Sequence, residues 1–558
     1  MPTTNLISEP IPANAVLAKP LCVSKCSVDF SAVLNQSPAS NATWLSLFPI
    51  VTQVIKHFLQ LPHPLLFLNA THWQAALAVL KGSYPDNTKS LALQNYNQQT
   101  LFGRLNLTKQ DSFDFQPGVI EKLDSGILTL HISPLLSSPE LWFLLKSFLI
   151  NKTLPPTSAV NANKYKGSYS DAPVKKIQTK IVLVCTRYQL DELQLLDPEY
   201  HQVDALFTEL SGSIAVNDKN IHALKIYCQQ LINDLKLQPL TDPAFSLLFN
   251  YLSQATEHQK KLLFSPAFIE ELLRYAQIFA PKNQPLEATH LQQAFDIQMK
   301  PRSLAQDFSE QALVEKQVNI QLAESVIGQI NGLAVVELLG YPTEFGEIFR
   351  LSASEMIGDG EIVDVERKVE LAGNIHAKSF LVVQGYVNHF FTHVQNFPLS
   401  CNVVFEQSYQ ESDGDSASLA TLLAVTSCYA LQPIKQDLFV TGALDQHGNV
   451  LPIGGINQKI QAVTRLFDLG LLDSSVCILI PRANQINLTL DPQTLQLIKQ
   501  KKINIYPISH CEEAFPYALQ CSFKDVLSLI NQRIDFLQKN DLDDSGKSLL
   551  SRCISLFR

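Results

Sequence analysis

Basic residues are in short supply in this chain. Its 558 residues include 43 Lys and Arg against 52 Asp and Glu, a net charge of −9, and no stretch gathers the basic side chains into a stripe. A nucleic-acid surface is therefore not expected. Charge of either sign is sparse at 17%, while hydrophobic residues make up 46%, which excludes a disordered chain and predicts a globular one. The ten cysteines are dispersed from Cys22 to Cys553, too thinly for a disulfide framework. Cys22 and Cys26 are neighbours, but no second pair at metal-ligand spacing follows, so they read as ordinary thiols and no metal site is expected. The opening residues lack a basic n-region and an apolar h-region, so no signal peptide is expected.

Two charge-free stretches, 57–80 and 379–405, exceed the roughly 20 residues that a membrane span requires. The first carries Pro62, Pro64, Asn69 and Gln74, and the second Gln384, Asn388, Gln395, Asn396 and Pro398, most of which would cost free energy in lipid. They read as buried strand–turn–helix segments of a soluble protein with no membrane partner, suited to a reducing cytoplasm.

The length predicts two to four domains. Residues 1–40 read as an irregular leader. In 41–220, apolar strands at 64–69, 126–131 and 180–185 alternate with helices at 73–81 and 139–151, which implies a parallel sheet. Residues 152–169, rich in Ser, Pro, Asn and Lys, read as a surface loop. A helical subdomain over 221–300 and a linker over 301–320 lead to a second α/β domain over 321–522. There, 328–406 reads as strands joined by glycine turns, 416–431 as a helix of small residues, 438–441 as a strand and 456–469 as a helix. Residues 523–558 form a C-terminal helix and tail. The fold class is α/β throughout, without an internal repeat.

Three elements of the second domain carry chemistry. Glu411-Ser-Asp-Gly-Asp-Ser416 puts a serine where an apolar helix begins, and a helix N-terminus offers N–H groups and a positive dipole end to a developing oxyanion. Val440-Thr441-Gly442 ends a strand. Pro452-Ile-Gly-Gly-Ile-Asn-Gln-Lys459 turns into a helix, with Ile456, Ile460 and Val463 as the apolar face that buries it. Burial lowers a lysine's pKa, and a neutral amine within reach of the Ser416 hydroxyl could take its proton. Thr441 is placed to hold that amine. Taken singly, each residue has a blander reading: Ser416 as an N-cap, Asp413 and Asp415 as capping or solvated acids, Lys459 as a surface lysine.

The motifs together resemble the peptidase domain of Lon proteases. Gly328-Gln-Ile-Asn-Gly-Leu-Ala334 looks like its opening strand, and residues 364–378, the serine motif, Thr441-Gly442, Pro452-Ile-Gly-Gly455 and Lys459 follow in family order, extended by Ile480-Pro481 and Asn484. The resemblance covers 320–520 and implies a catalytic dyad of Ser416 and Lys459 supported by Thr441, Asp413 and Asp415. It also implies protein or peptide substrates and a closed homo-oligomeric ring, a hexamer. The Asp-Gly-Asp-Ser form is closer to the archaeal-type branch. His376, His389 and His393 read as core or surface residues rather than as a triad or metal site.

Lon proteases carry an AAA+ motor before the peptidase, and residues 45–300 have its outline in degenerate form. A phosphate cradle needs Gly-x4-Gly-Lys-Ser/Thr. After the strand at 64–69 the chain has Ala70-Thr-His-Trp-Gln74, without glycine or lysine, and His131 and Ile132 stand where the acids for Mg²⁺ and water should be. No cofactor is therefore expected to be required, and ATP hydrolysis is not expected; nucleotide binding stays open, because ring interfaces can supply other contacts. Gly414-Asp-Ser416 also occurs in some esterases, but none of the thirteen histidines has an Asp three residues before it, as those enzymes need. The alternative is a catalytically silent Lon-like scaffold or adaptor.

Overall fold

The computed structural model describes residues 18–35, 43–107, 113–154, 176–365, 374–394, 397–407 and 414–545. Much of the expected leader, most of the 152–169 loop, Asp413 and the side chain of His376 lie outside the described residues. The chain divides into two compact units, one of residues 30–256 and 260–295, the other of residues 1–29, 257–259 and 296–558.

The first unit is built on five strands, β1 (Leu65–Ala70), β2 (Ser90–Leu93), β3 (Ile127–His131), β4 (Lys180–Cys185) and β5 (Ala205–Leu210). Their order is β2-β3-β4-β1-β5 and every neighbouring pair is parallel. All six residues of β1 are buried, as a central strand covered on both faces requires. The helices α1 (Pro49–Gln60), α2 (Trp73–Ser83), α3 (Pro139–Asn151) and α4 (Arg187–Leu196) belong to this α/β part, and α5 (Asp218–Asp234), α6 (Asp242–Gln254) and α7 (Pro266–Phe279) form the helical part. Thr186 and Gln189 start α4 with a reciprocal capping box.

A buried ion pair ties α3 to the end of α4. Lys146 Nζ lies 2.8 Å from Asp197 Oδ2, which also accepts the Trp142 indole N–H at 2.8 Å. Burial pushes the Asp197 carboxyl up, but the ammonium and the indole outweigh it and hold the carboxyl below its ordinary range. Removing one partner strands the other charge away from water. Asp197→Ala is therefore expected to destabilise the protein by about 3–5 kcal/mol. An unchanged urea midpoint would show that the pair contributes little.

The second unit has a seven-stranded mixed sheet. Its strands are β6 (Gln329–Val336), β7 (Phe345–Ile357), β8 (Ile362–Asp364), β9 (Leu399–Glu406), β10 (Leu438–Val440), β13 (Val476–Pro481) and β14 (Ile503–Ile508); a separate hairpin joins β11 (Ala443–Leu444) to β12 (Val450–Leu451). The order is β8-β9-β7-β6-β10-β13-β14, antiparallel at β9-β7 and β7-β6 and parallel elsewhere. Side chains alternate between two cores, as a period of two demands. Ile330, Leu351 and Val440 face the core that holds α9 (Ser418–Ala430), whereas Leu333, Ile348 and Phe439 face the core that holds α10 (Ile456–Asp468).

Several features depart from the sequence reading, among them a helix, Leu304–Val314, inside the expected linker. The 328–406 stretch includes a helix, α8 (Asn374–Phe390), followed by β9, so 379–405 runs helix–turn–strand. Its Val, Phe and Tyr residues favour strands, yet Phe380, Val383, Tyr386 and Val387 are all buried at helical spacing. Packing of that face against the sheet overrides local propensity. Part of the expected leader is also ordered: the Leu21 N–H donates to the Ile505 carbonyl at 2.9 Å, the Leu490 N–H to the Cys26 carbonyl at 3.1 Å, and Cys26 is fully buried. Among the described residues no helix is long and apolar enough to cross a membrane.

Candidate active site

The site is assembled by backbone hydrogen bonds between two loops. Ser416 and Ala417 form a turn, and α9 starts at Ser418 with every one of its residues buried. The Gly442 N–H donates to the Ser416 carbonyl at 2.8 Å, and the Leu419 N–H returns a bond to the Gly442 carbonyl at 3.1 Å. Ser418 locks the arrangement: its hydroxyl donates to the Asp415 carbonyl at 2.7 Å and accepts the Leu444 N–H at 2.9 Å. This serine carries no local signal of its role, since both partners become visible only once the chain is folded.

Ser416 thus precedes α9 by two residues rather than heading it. The Ser418 and Leu419 N–H groups are occupied by the Asp415 and Gly442 carbonyls. The Ser416 and Ala417 N–H groups have no backbone partner among the described residues, so the turn itself could donate to an oxyanion.

Lys459 is the fourth residue of α10 and only 3% exposed. The helix is entered through Gly455, whose φ of +61° is in the left-handed region; a Cβ there would lie 2.3 Å from Val335 Cγ2. Asn484 fixes the approach by accepting the Ile453 N–H at 2.9 Å and donating to the Ile453 carbonyl at 2.8 Å. Ile456, Ile460 and Val463 are buried in the second core.

Gly346 on β7 lets the sheet touch this helix, because a Cβ at that position would stand 1.9 Å from the Gln458 carbonyl oxygen. Gly346→Ala must therefore push α10 and Lys459 outward. A loss of about 1–3 kcal/mol in stability is expected, with cleavage reduced more than substrate binding; wild-type stability and activity would contradict so tight a contact.

Thr441 is the shared neighbour. Its hydroxyl accepts from Lys459 Nζ at 3.3 Å and donates to the Ser416 carbonyl at 3.4 Å. Burial pulls the Lys459 amine from its ordinary 10.5 down to about 8, with the Asp415 carboxylate acting in the opposite sense. At pH 7 about one amine in ten is then neutral, against about three in ten thousand for a free lysine. The Ser416 hydroxyl is half-buried and makes no hydrogen bond among the described residues. His389 and His393 are exposed, and neither bonds to Ser416, Thr441 or Lys459.

The loop after β1 in the first unit is short and closed by rings. In open α/β sheets ligands bind beyond the carboxyl ends of the strands. Here only Thr71 and His72 join β1 to α2, and the Trp73 ring packs edge-on against His131 at 5.6 Å. The Tyr96 hydroxyl donates to the His131 carbonyl at 2.7 Å.

Comparison with known proteins adds to this geometry. Residues 306–521 match the family described as Lon protease (S16) C-terminal proteolytic domain, and residues 90–209 match the LonB-like AAA domain. A protein of Haemophilus influenzae named "Putative Lon protease homolog" is 30% identical over 465 residues, covering 83% of this chain and 75% of that protein. Its namesake from Escherichia coli K12 is 29% identical over 439 residues, covering 77% and 73%. An archaeal Lon protease of Thermococcus kodakarensis is 32% identical over 199 residues, covering 35% of this chain and 28% of its own length.

Proposed function

Because this chain belongs to the Lon protease family, we propose that it is a serine endopeptidase in which Ser416 is the nucleophile and Lys459 the general base. The observation that carries the reading is the buried Lys459 amine, lowered to about 8 and held by the threonine that also touches the Ser416 backbone. The neutral amine takes the Ser416 hydroxyl proton as the oxygen attacks the scissile carbonyl. The N–H groups of Ser416 and Ala417 are the donors available to the resulting oxyanion. The ammonium then protonates the leaving amine, and water hydrolyses the Ser416 ester with Lys459 again as base. Asp415 keeps the amine from becoming too weak a base.

The substrates in this reading are unfolded or flexible polypeptides, cleaved inside a homo-oligomeric ring, a hexamer, in the cytoplasm. The domain scheme has a degenerate motor over 41–220, a helical subdomain over 221–300 and the peptidase over 321–522. The packing of Trp73 against His131 after β1, together with the missing P-loop glycines and lysine, supports the reading that cleavage does not depend on ATP hydrolysis by this chain. The test is casein digestion by the purified protein with and without ATP: equal rates are expected, and absence of cleavage under both conditions would favour the silent scaffold. Thr441→Val, which removes the hydroxyl at nearly constant volume, is expected to lower kcat about 10-fold, the size of losing one orienting hydrogen bond to a charged group. An unchanged kcat would remove Thr441 from the mechanism.

A further inference from the structure

The match to the proteolytic domain ends at residue 521, yet the chain continues into α11 (Phe523–Ser545). This helix starts on a local cap in which the Ser522 hydroxyl donates to Asp525 Oδ2 at 2.6 Å. Its Val526, Ile530 and Ile534, spaced by four, are completely or almost completely buried in the same core as α9. One residue before Ile534, Arg533 reaches the far end of α9. Its Nη1 donates to the Cys428 carbonyl at 2.9 Å and to the Tyr429 carbonyl at 3.2 Å, and the guanidinium is gripped by both carboxylate oxygens of Glu355 on β7.

That end of α9 needs help. A helix leaves its last carbonyls without intrahelical partners, and its C-terminus carries a partial negative charge. The usual solution is a left-handed glycine just beyond the last turn. Here the position is Leu431, held at φ +52° and 49% exposed. The Leu431 N–H donates to the Cys428 carbonyl at 3.2 Å and the Gln432 N–H to the Ser427 carbonyl at 3.0 Å, but a left-handed leucine is strained, and Arg533 adds a second donor at Cys428, a donor at the Tyr429 carbonyl and the positive charge.

The two ends of α9 therefore touch different parts of the chain: the Ser416 turn is held by Gly442 and Leu444, and the other end by its own cap and by Arg533. Between these two ends α9 is buried at every residue. We infer that Arg533, oriented by Glu355, is a positioning residue that acts through α9 on the Ser416 nucleophile, and that α11 is a working part of the peptidase. This inference rests on Ser416 being the nucleophile. It adds that the nucleophile is aligned from a helix beyond the matched domain.

The test uses the full-length protein and two readouts, steady-state cleavage of a fluorogenic casein-derived peptide and the rate at which a peptide boronate captures the active-site oxygen. Arg533→Ala is expected to lower kcat and the capture rate together by about 10- to 100-fold, the effect of misplacing a reacting group by a fraction of an ångström to an ångström. KM and the far-ultraviolet spectrum should stay unchanged, and Arg533→Lys, which keeps the charge but not the fork, should fall between the two. Wild-type capture by folded Arg533→Ala would overturn the inference. If the alanine variant does not fold, Arg533→Lys decides: capture a few-fold slower supports it and a wild-type rate overturns it. Ser416→Ala separates the two claims. Should that variant still cleave, the nucleophile assignment fails; should it be inert while Arg533→Ala is captured normally, the assignment stands and the positioning role falls.

Discussion

Ser416→Ala and Lys459→Ala are each expected to lower peptide cleavage by at least about 10³-fold, with the double variant no slower than either single one. The reason is that the two groups do one job. In the proposed mechanism the hydroxyl supplies the oxygen that is acylated and the amine takes its proton, so removing either stops the same step. Neither removal should unfold the protein. The Ser416 turn is held through its backbone by Gly442, and α10 by Ile456, Ile460 and Val463. Matching circular dichroism together with the kinetic loss checks the prediction. Near-normal cleavage by folded Ser416→Ala would remove this serine from the chemistry, and additive losses in the double variant would mean that the two residues act in separate steps.

The second large effect is on pH dependence and stability together. With the Lys459 amine at about 8, kcat/KM should climb through neutral pH and level off above about pH 9, since the neutral amine is the reactive form. Asp415→Asn removes the carboxylate that favours the ammonium, so the profile should move to lower pH. The sign for stability follows from proton counts. Between about 8 and 10.5 the unfolded state holds more protons at this site than the native state, so stability rises with pH across that window. Below about 8 both states are protonated and the full cost of burying the ammonium, about 3 kcal/mol, is present. Lys459→Met should therefore be inactive yet up to about 3 kcal/mol more stable at pH 7, with the gain vanishing above about pH 10.5. A less stable methionine variant, or a flat activity profile from pH 6 to 10 with chemistry rate-limiting, would contradict a desolvated general base.

Much of the fold and of the placement of the candidate site residues was legible in the sequence, for reasons that differ from residue to residue. The strands β1, β3 and β4 are continuous apolar runs bounded by breakers, so their identity survives without knowledge of their neighbours. Lys459 was legible because glycines precede it and Ile456, Ile460 and Val463 mark the face that buries its helix. Thr441 was legible as a strand end beside it, and the structure places its hydroxyl 3.3 Å from the amine. Helix α8 was not, because its β-branched and aromatic residues favour strand and only packing decides otherwise. Asn484 stood out only through the family resemblance, without its role, and Ser418 and Arg533 were illegible, for another reason. Each acts on backbone groups well away from it in the sequence, from Leu444 for Ser418 to Cys428 for Arg533, and no local pattern marks a side chain for a long-range backbone partner. The strap at residues 18–29 is the same case.

The measurement that tests the central claim most directly is the site of covalent capture. Full-length protein is treated at pH 9 with a fluorophosphonate, which transfers its phosphonyl group to an activated serine oxygen and releases fluoride, and the digested protein is mapped by mass spectrometry. The account expects the adduct on the peptide carrying Ser416, formed more slowly in Lys459→Ala and absent from Ser416→Ala. An adduct on a different serine that persists in Ser416→Ala together with casein cleavage would contradict it.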